Sequence, residues 1–150
     1  MFSIKGKKTV DSIHKQLGHI MWEYVGMARN EEGLKKAIEE IQALKKSFYE
    51  DVCVPGSQYE FNQELEKALR LEDFLEIGEL MARDALNRKE SCGGHFRIES
   101  QTEEGEAKRD DKNYMYVAAW EYKGEGKEPE LHKEPLKYEF IEVKTRNYKD

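Results

Sequence analysis

The chain has 150 residues, with 25 Lys+Arg against 31 Asp+Glu, giving a net charge of −6 and a pI near 5.4. That balance excludes a general nucleic-acid binder, because phosphate contacts need a basic face. No apolar run approaches the roughly 18 residues of a membrane span, so direct membrane insertion is excluded from the reading as well. The length fits one domain able to bury a core without staples, and 11% aromatic residues argue against disorder. Met1-Phe-Ser-Ile-Lys-Gly-Lys-Lys8 is basic, but no apolar stretch follows it, so it does not read as a signal peptide. Cys53 and Cys92 lie in unlike surroundings and read as reduced thiols in a cytoplasmic chain. With no CxxC or HxxxH among two cysteines and four histidines, metal ligands are expected to be none.

Residues 1–8 read as a disordered or linker start. The first helix is then marked by Val10, Ile13, Leu17, Ile20, Tyr24 and Met27, stepping 3-4-3-4-3, with Thr9 or Asp11 as its cap. Gly18 and Gly26 weaken it unless they admit a neighbouring helix closely. Asn30 caps a second helix with an inner stripe of Leu34, Ala37 or Ile38, Ile41, Leu44 and Phe48. Its outer face is charged, and Glu32–Lys36 and Glu40–Lys45 are its expected surface pairs. After the break at Val54-Pro-Gly-Ser57, a third helix runs from about Asn62 to Lys89. Phe61, Leu65, Ala68 or Leu69, Leu75, Gly78, Met81 or Ala82 and Ala85 form its stripe. Leu71, Phe74, Ile77, Leu80 and Leu86 spread round the cylinder, so this helix should be flanked on more than one side.

From Glu90 the texture changes. Ser91-Cys-Gly-Gly94 should stop the helix, and Ile98 to Lys112 is a polar loop. Alternation over Tyr114–Tyr122 and again over Leu136–Val143 predicts two strands pairing as an antiparallel hairpin with one aromatic face. The expected fold is mainly α: an up-down-up three-helix bundle, spectrin-repeat-like, with a C-terminal antiparallel β-hairpin. The expected organisation is the bundle over 9–97, a polar loop over 98–112, and the hairpin with its tail over 113–150.

Candidates for catalysis are few. Glu76, Glu79 and Asp84 read first as a solvated helix face, and His14 and His19 do not share a helix face. Cys92 with His95 is a weak nucleophile pairing. The distinctive stretch is Arg88-Lys-Glu-Ser-Cys-Gly-Gly-His-Phe-Arg97 with the later Arg109-Asp-Asp111. In structural terms Gly93 or Gly94 turns left-handed, Arg88 faces the helix's negative end, and Asp110 or Asp111 pairs Arg88 or Arg97. In functional terms the same loop is a contact surface built from Arg88, Glu90, Ser91, Gly93, His95, Arg97, Arg109, Asp110 and Asp111.

That stretch resembles the R-x-E-S-R-G-A-H-x-R…R-D-D segment of the succinate dehydrogenase/fumarate reductase flavoprotein subunit, which follows the last long helix of its C-terminal helical domain. Met21-Trp-Glu-Tyr-Val-Gly-Met-Ala-Arg-Asn-Glu-Glu-Gly-Leu34 resembles the family's opening of that bundle, and Tyr138-Glu-Phe-Ile-Glu-Val143 its C-terminal strand. L-aspartate oxidase carries a similar domain. Cys92 stands where the family usually has Arg, Gly94 where it has Ala, and Ile98–Lys108 is longer than usual. The resemblance implies a parent that interconverts succinate and fumarate at FAD and passes electrons to an iron–sulfur subunit. It implies a place on the cytoplasmic face of the inner membrane. It assigns no catalytic or cofactor-binding residue to this chain, which it makes an inactive fragment with Met1 supplied or retained at its start. The FAD-binding domain of the parent is the implied partner, and part of the third helix and the hairpin's aromatic face should be a severed interface. The alternatives are a stand-alone helical interaction module and a small enzyme using His95 with Cys92.

Overall fold

A computed structural model describes residues 1–124 and 126–144. In chain order the elements are β1 (Lys8–Thr9), α1 (Val10–Val25), β2 (Ala28–Arg29), α2 (Glu31–Asp51), β3 (Val52–Cys53) and α3 (Gln63–Asn87). Then come β4 (Phe96–Arg97), the single turn α4 (Asp111–Tyr114), β5 (Tyr116–Glu121) and β6 (Glu130–Pro135). Residues 145–150, the end of the expected tail, lie outside the described residues.

Each long helix begins where a side-chain oxygen takes a free first-turn N–H: Thr9 from Ser12, Asn30 from Gly33, and Asn62 from Leu65. The three helices pack on one another through Ile13 and Leu17 of α1, Leu34, Ile41 and Phe48 of α2, and Leu71 and Leu75 of α3. This is the expected mainly helical bundle with its C-terminal antiparallel hairpin, in which Tyr116 pairs with Pro135 and Glu121 with Glu130.

Several details differ from the sequence reading. Residues 1–8 are not a loose start: Met1, Phe2 and Ile4 pack against the core, and β1 pairs in parallel with β3. Met27 lies past the end of α1 and is exposed, and Phe61 precedes α3 at 91% exposure. Leu71, assigned to the outer spread, is in the core, because the inner stripe of α3 runs Ala68, Leu71, Leu75, Gly78, Ala82, Ala85. The close helix approach falls at Gly78, where an added Cβ would sit 3.3 Å from Leu17 Cδ1 and Met21 Sδ, whereas Gly18 faces open space. On the outer face of α2, Lys36 pairs with Glu40, while Lys45 turns across to Glu76 and Glu79 of α3.

The second strand is displaced. It forms over Glu130–Pro135, and the alternating run from Leu136 to Val143 is irregular, with Tyr138, Phe140 and Ile141 exposed. β6 is solvated on both faces, so it has no apolar alternation to display. β5 does alternate: Tyr116, Ala118 and Trp120 are the more buried set, and Trp120 Nε1–H donates to Asp84 of α3 at 2.8 Å.

Candidate functional site

α3 ends at Asn87, earlier than the glycines, with Arg88 extended at φ −85°. The chain then reverses in a tight turn from Cys92 to His95, closed by a pair of backbone hydrogen bonds of 2.8 and 3.1 Å. Gly93 sits in that turn at φ +57°, a left-handed conformation that a side chain disfavours. The return strand β4 pairs in parallel with β2, Arg29 opposite Arg97, which ties the α1–α2 connection to the segment after α3.

The arginine assigned to the helix's negative end is a different one. Arg97, only 2% exposed, donates from Nη1 to the carbonyls of Ala85 (3.0 Å) and Leu86 (3.3 Å) and from Nε to Glu99 (3.1 Å). Carbonyls left unpaired at a helix C-terminus carry partial negative charge, and a guanidinium satisfies two at once. Ser91, fully buried, accepts the Arg97 N–H at 2.8 Å and donates its hydroxyl to the Arg97 carbonyl at 3.2 Å.

Arg88 points the other way. It donates to Glu90 Oε1 (2.8 Å) and to the carbonyls of Tyr114 (2.9 Å) and Tyr116 (3.2 Å), and its guanidinium lies 5.0 Å from the Tyr116 ring centre. The second oxygen of buried Glu90 accepts the Asp110 N–H at 2.8 Å. Neither aspartate pairs Arg88 or Arg97. Asp111 chelates Arg109 through both oxygens at 2.6 and 2.7 Å, and Asp110 caps α4 by accepting from Asn113. Arg88, Glu90 and Asp110 thus make a polar joint between the end of α3 and the start of the hairpin, Ser91 and Arg97 close the α3 end, and Arg109 and Asp111 pair with each other.

His95 has both ring nitrogens engaged. Its Nδ1 lies 2.9 Å from Arg29 Nη1, and its Nε2 lies 2.8 Å from the Arg88 carbonyl. An arginine only donates and a carbonyl only accepts, so the proton belongs on Nε2 and the lone pair on Nδ1. Burial pushes the imidazole pKa down, and the nearby Arg29, Arg97 and Arg88 charges push the same way against the Arg88 carbonyl contact. A neutral histidine so held has no free nitrogen to act as a base toward Cys92, which is an exposed free thiol.

The acidic candidates on α3 are also committed. Glu79 is 8% exposed instead of solvated, and it accepts from Gln42, Lys45 and Arg83 at 2.9–3.0 Å. Burial alone would raise its pKa, but those hydrogen bonds outweigh burial and hold it below the ordinary carboxylate value. Sequence reasoning did not single out Arg29 as a site residue, although it lies inside the Met21–Leu34 stretch that carried the resemblance. On the hairpin, Glu121, Glu130 and His132 bring one ligand atom each close together. Lys123 already bridges the two carboxylates at 3.1 and 2.8 Å, and all three groups are exposed.

These features define a helical domain with an appended hairpin and a hydrogen-bonded joint between them. A family model described as the fumarate reductase flavoprotein C-terminal region matches residues 14–148, and the chain belongs to that family. The fumarate reductase flavoprotein subunit of Proteus vulgaris is 34% identical over 122 residues, which cover 81% of this chain and 20% of that protein. An uncharacterised FAD-dependent oxidoreductase of Methanocaldococcus jannaschii is 36% identical over 95 residues, 63% of this chain and 16% of that one. Among solved structures, the FrdA chain of Escherichia coli quinol–fumarate reductase superposes with a TM-score of 0.80 at 26% identity, covering 94% of this chain and 23% of that chain. The chain therefore spans about a fifth of the length of the relatives it matches.

One recurring dinucleotide site is a parallel sheet with a glycine-rich turn running into a helix N-terminus. Among the described residues the strands form three separate pairs, and the sequence has no Gly-x-Gly-x-x-Gly run. The described residues do not form that site. Among the described residues no helix is long and apolar enough to cross a membrane.

Proposed function

We propose that this domain serves an FAD-dependent enzyme interconverting succinate and fumarate, bracing the flavin domain and the subunit assembly while performing no chemistry of its own. The observation that carries the reading is the family match over residues 14–148, reinforced by the superposition on FrdA across nearly the whole chain. The names of the relatives supply FAD and fumarate. An iron–sulfur subunit is the implied recipient of electrons, and the cytoplasmic face of the inner membrane the implied location. The geometry agrees with a bracing part. His95, Glu79 and Arg97 have their polar atoms engaged by the fold, which suits rigidity and leaves no free acid–base pair among them. The exposed apolar side chains Phe74, Ile77 and Met81 of α3 are the surface offered to the flavin domain.

The test is isolation of the native protein from its source cells under mild conditions, with an antibody to this chain. The expected result is flavin absorbance and an iron–sulfur protein recovered with it. A colourless species of 17.6 kDa that carries neither would overturn the proposal.

A further inference from the structure

Where α3, β5 and the Cys92–His95 turn meet there is an open groove of about 520 Å³. Its walls include Ile77, Leu80 and Met81 of α3 and Ala118 and Trp120 of β5, and Arg29 lies in its lining. The apolar wall continues outward, since Ile77 and Met81 belong to the same exposed stripe as Phe74.

Arg29 is the feature that gives this groove a chemistry. It uses Nε on the Gly26 carbonyl at 2.8 Å and Nη1 on His95 at 2.9 Å. Among the described residues it has no ion pair, whereas the neighbouring Arg88 has Glu90 and Arg97 has Glu99. Asp84 lines the same groove and attracts Arg29 without pairing with it, its Oδ1 accepting from the Trp120 indole, and burial dominates, pushing the guanidinium's pKa down. His95 brings no compensating charge, because its contact with Arg29 requires the neutral ring. A half-buried guanidinium with donors to spare, set in apolar walls, is matched by a carboxylate on an apolar segment.

We infer that this groove receives an Asp or Glu side chain carried on an apolar segment of the flavin domain, with Arg29 as its ion-pair partner and Ile77, Met81 and Trp120 as its apolar walls. The inference rests on the bracing role proposed above and names where and with what chemistry the contact is made. A protein segment fits better than a small molecule, because the groove is open and runs on into an exposed helix face too broad for one. His95 is then a positioning residue, holding Arg29 by its lone pair.

The test uses the native protein in its source cells with a photoreactive side chain replacing Met81, and in a second strain replacing Lys36 on the charged face of α2. Crosslinks are mapped after recovery of flavin-bearing material. The expected result is a crosslink from position 81, not 36, to a flavin-bearing polypeptide within a few residues of an Asp or Glu. Arg29→Gln should reduce the yield of that crosslink about tenfold or more, while Arg29→Lys, keeping the charge but not the fork, should fall between. His95→Gln disturbs the hydrogen bond that holds Arg29 but leaves the cation, so it should reduce the yield less than Arg29→Gln. If Arg29→Gln leaves the crosslink from position 81 unchanged, or if the flavin-bearing polypeptide crosslinks from position 36 and not 81, the groove is not the contact, though the bracing role stands. If no flavin-bearing polypeptide is recovered at all, both fall together.

Discussion

The bundle core and the polar joint after α3 are held by different physics. Between α1, α2 and α3 the buried side chains are apolar except Glu79, and their contribution follows area and fit. In residues 88–111 the buried groups are Glu90, Ser91 and Arg97, and each is fixed by hydrogen bonds to a particular partner. An apolar site tolerates a different side chain of similar volume. A hydrogen-bonded site does not, because removing one partner strands the other away from water. The first region should therefore lose stability in proportion to the cavity made, and the second in proportion to the polar groups orphaned.

The sharpest way to press on this difference is Phe48→Ala, which empties a fully buried position of α2. It should cost about 3–5 kcal/mol in urea denaturation, and Phe48→Leu much less. Arg97→Ala should cost about 2–4 kcal/mol, since it uncovers two α3 carbonyls and removes the donor to Glu99. Arg97→Met, which restores volume but no donors, should recover little of that. If Met rescued Arg97→Ala as well as Leu rescues Phe48→Ala, the two regions would not differ as described.

The helices were legible in the sequence because both of their signals are local. A 3-4 stripe and a capping Thr or Asn sit within one or two turns of each other, as at Thr9, Asn30 and Asn62. The joint was legible only as a list of members. Arg88 and Arg97 are both near the end of α3, and which one meets the helix carbonyls depends on how β4 returns beside β2, a contact with residues about 68 positions away. The hairpin failed halfway for a related reason. β5 shows alternation because one of its faces meets α3, but β6 pairs through its backbone while its side chains stay in water. The alternating run from Leu136 to Val143 therefore drew the eye past the true partner.

Two smaller effects refine the contrast. Gly93→Ala adds a methyl to open space, so any loss is conformational, about 1 kcal/mol, read as a lower Tm with the bundle unchanged by circular dichroism. The smallest effect is with pH. His95 has its pKa depressed in the folded state, so the unfolded chain binds the proton more readily. Its contribution is fully present above the ordinary imidazole value of about 6.5 and is lost as pH falls through the lower folded value. Unfolding midpoints measured from pH 7.5 down to 5.5 should decline, and His95→Gln should flatten that decline. An unchanged slope in the variant would place the titration elsewhere.

The two-residue pairing of β2 with β4 also bears on the order in which the molecule assembles. Consecutive helices meet across short connections, so the bundle closes early, at small cost in chain entropy. The β2–β4 pairing is reinforced by the Glu31 N–H bonded to Glu99, 68 residues along the chain, and it carries only two ladder positions to offset that closure. It should be among the last contacts to form and the first to open. The Ile98 amide, bonded to the Arg29 carbonyl, then exchanges with solvent through a local opening that leaves α1, α2 and α3 intact. The joint should behave as a latch on a finished bundle, and the stretch that carried the resemblance is then the part of the fold that is decided last.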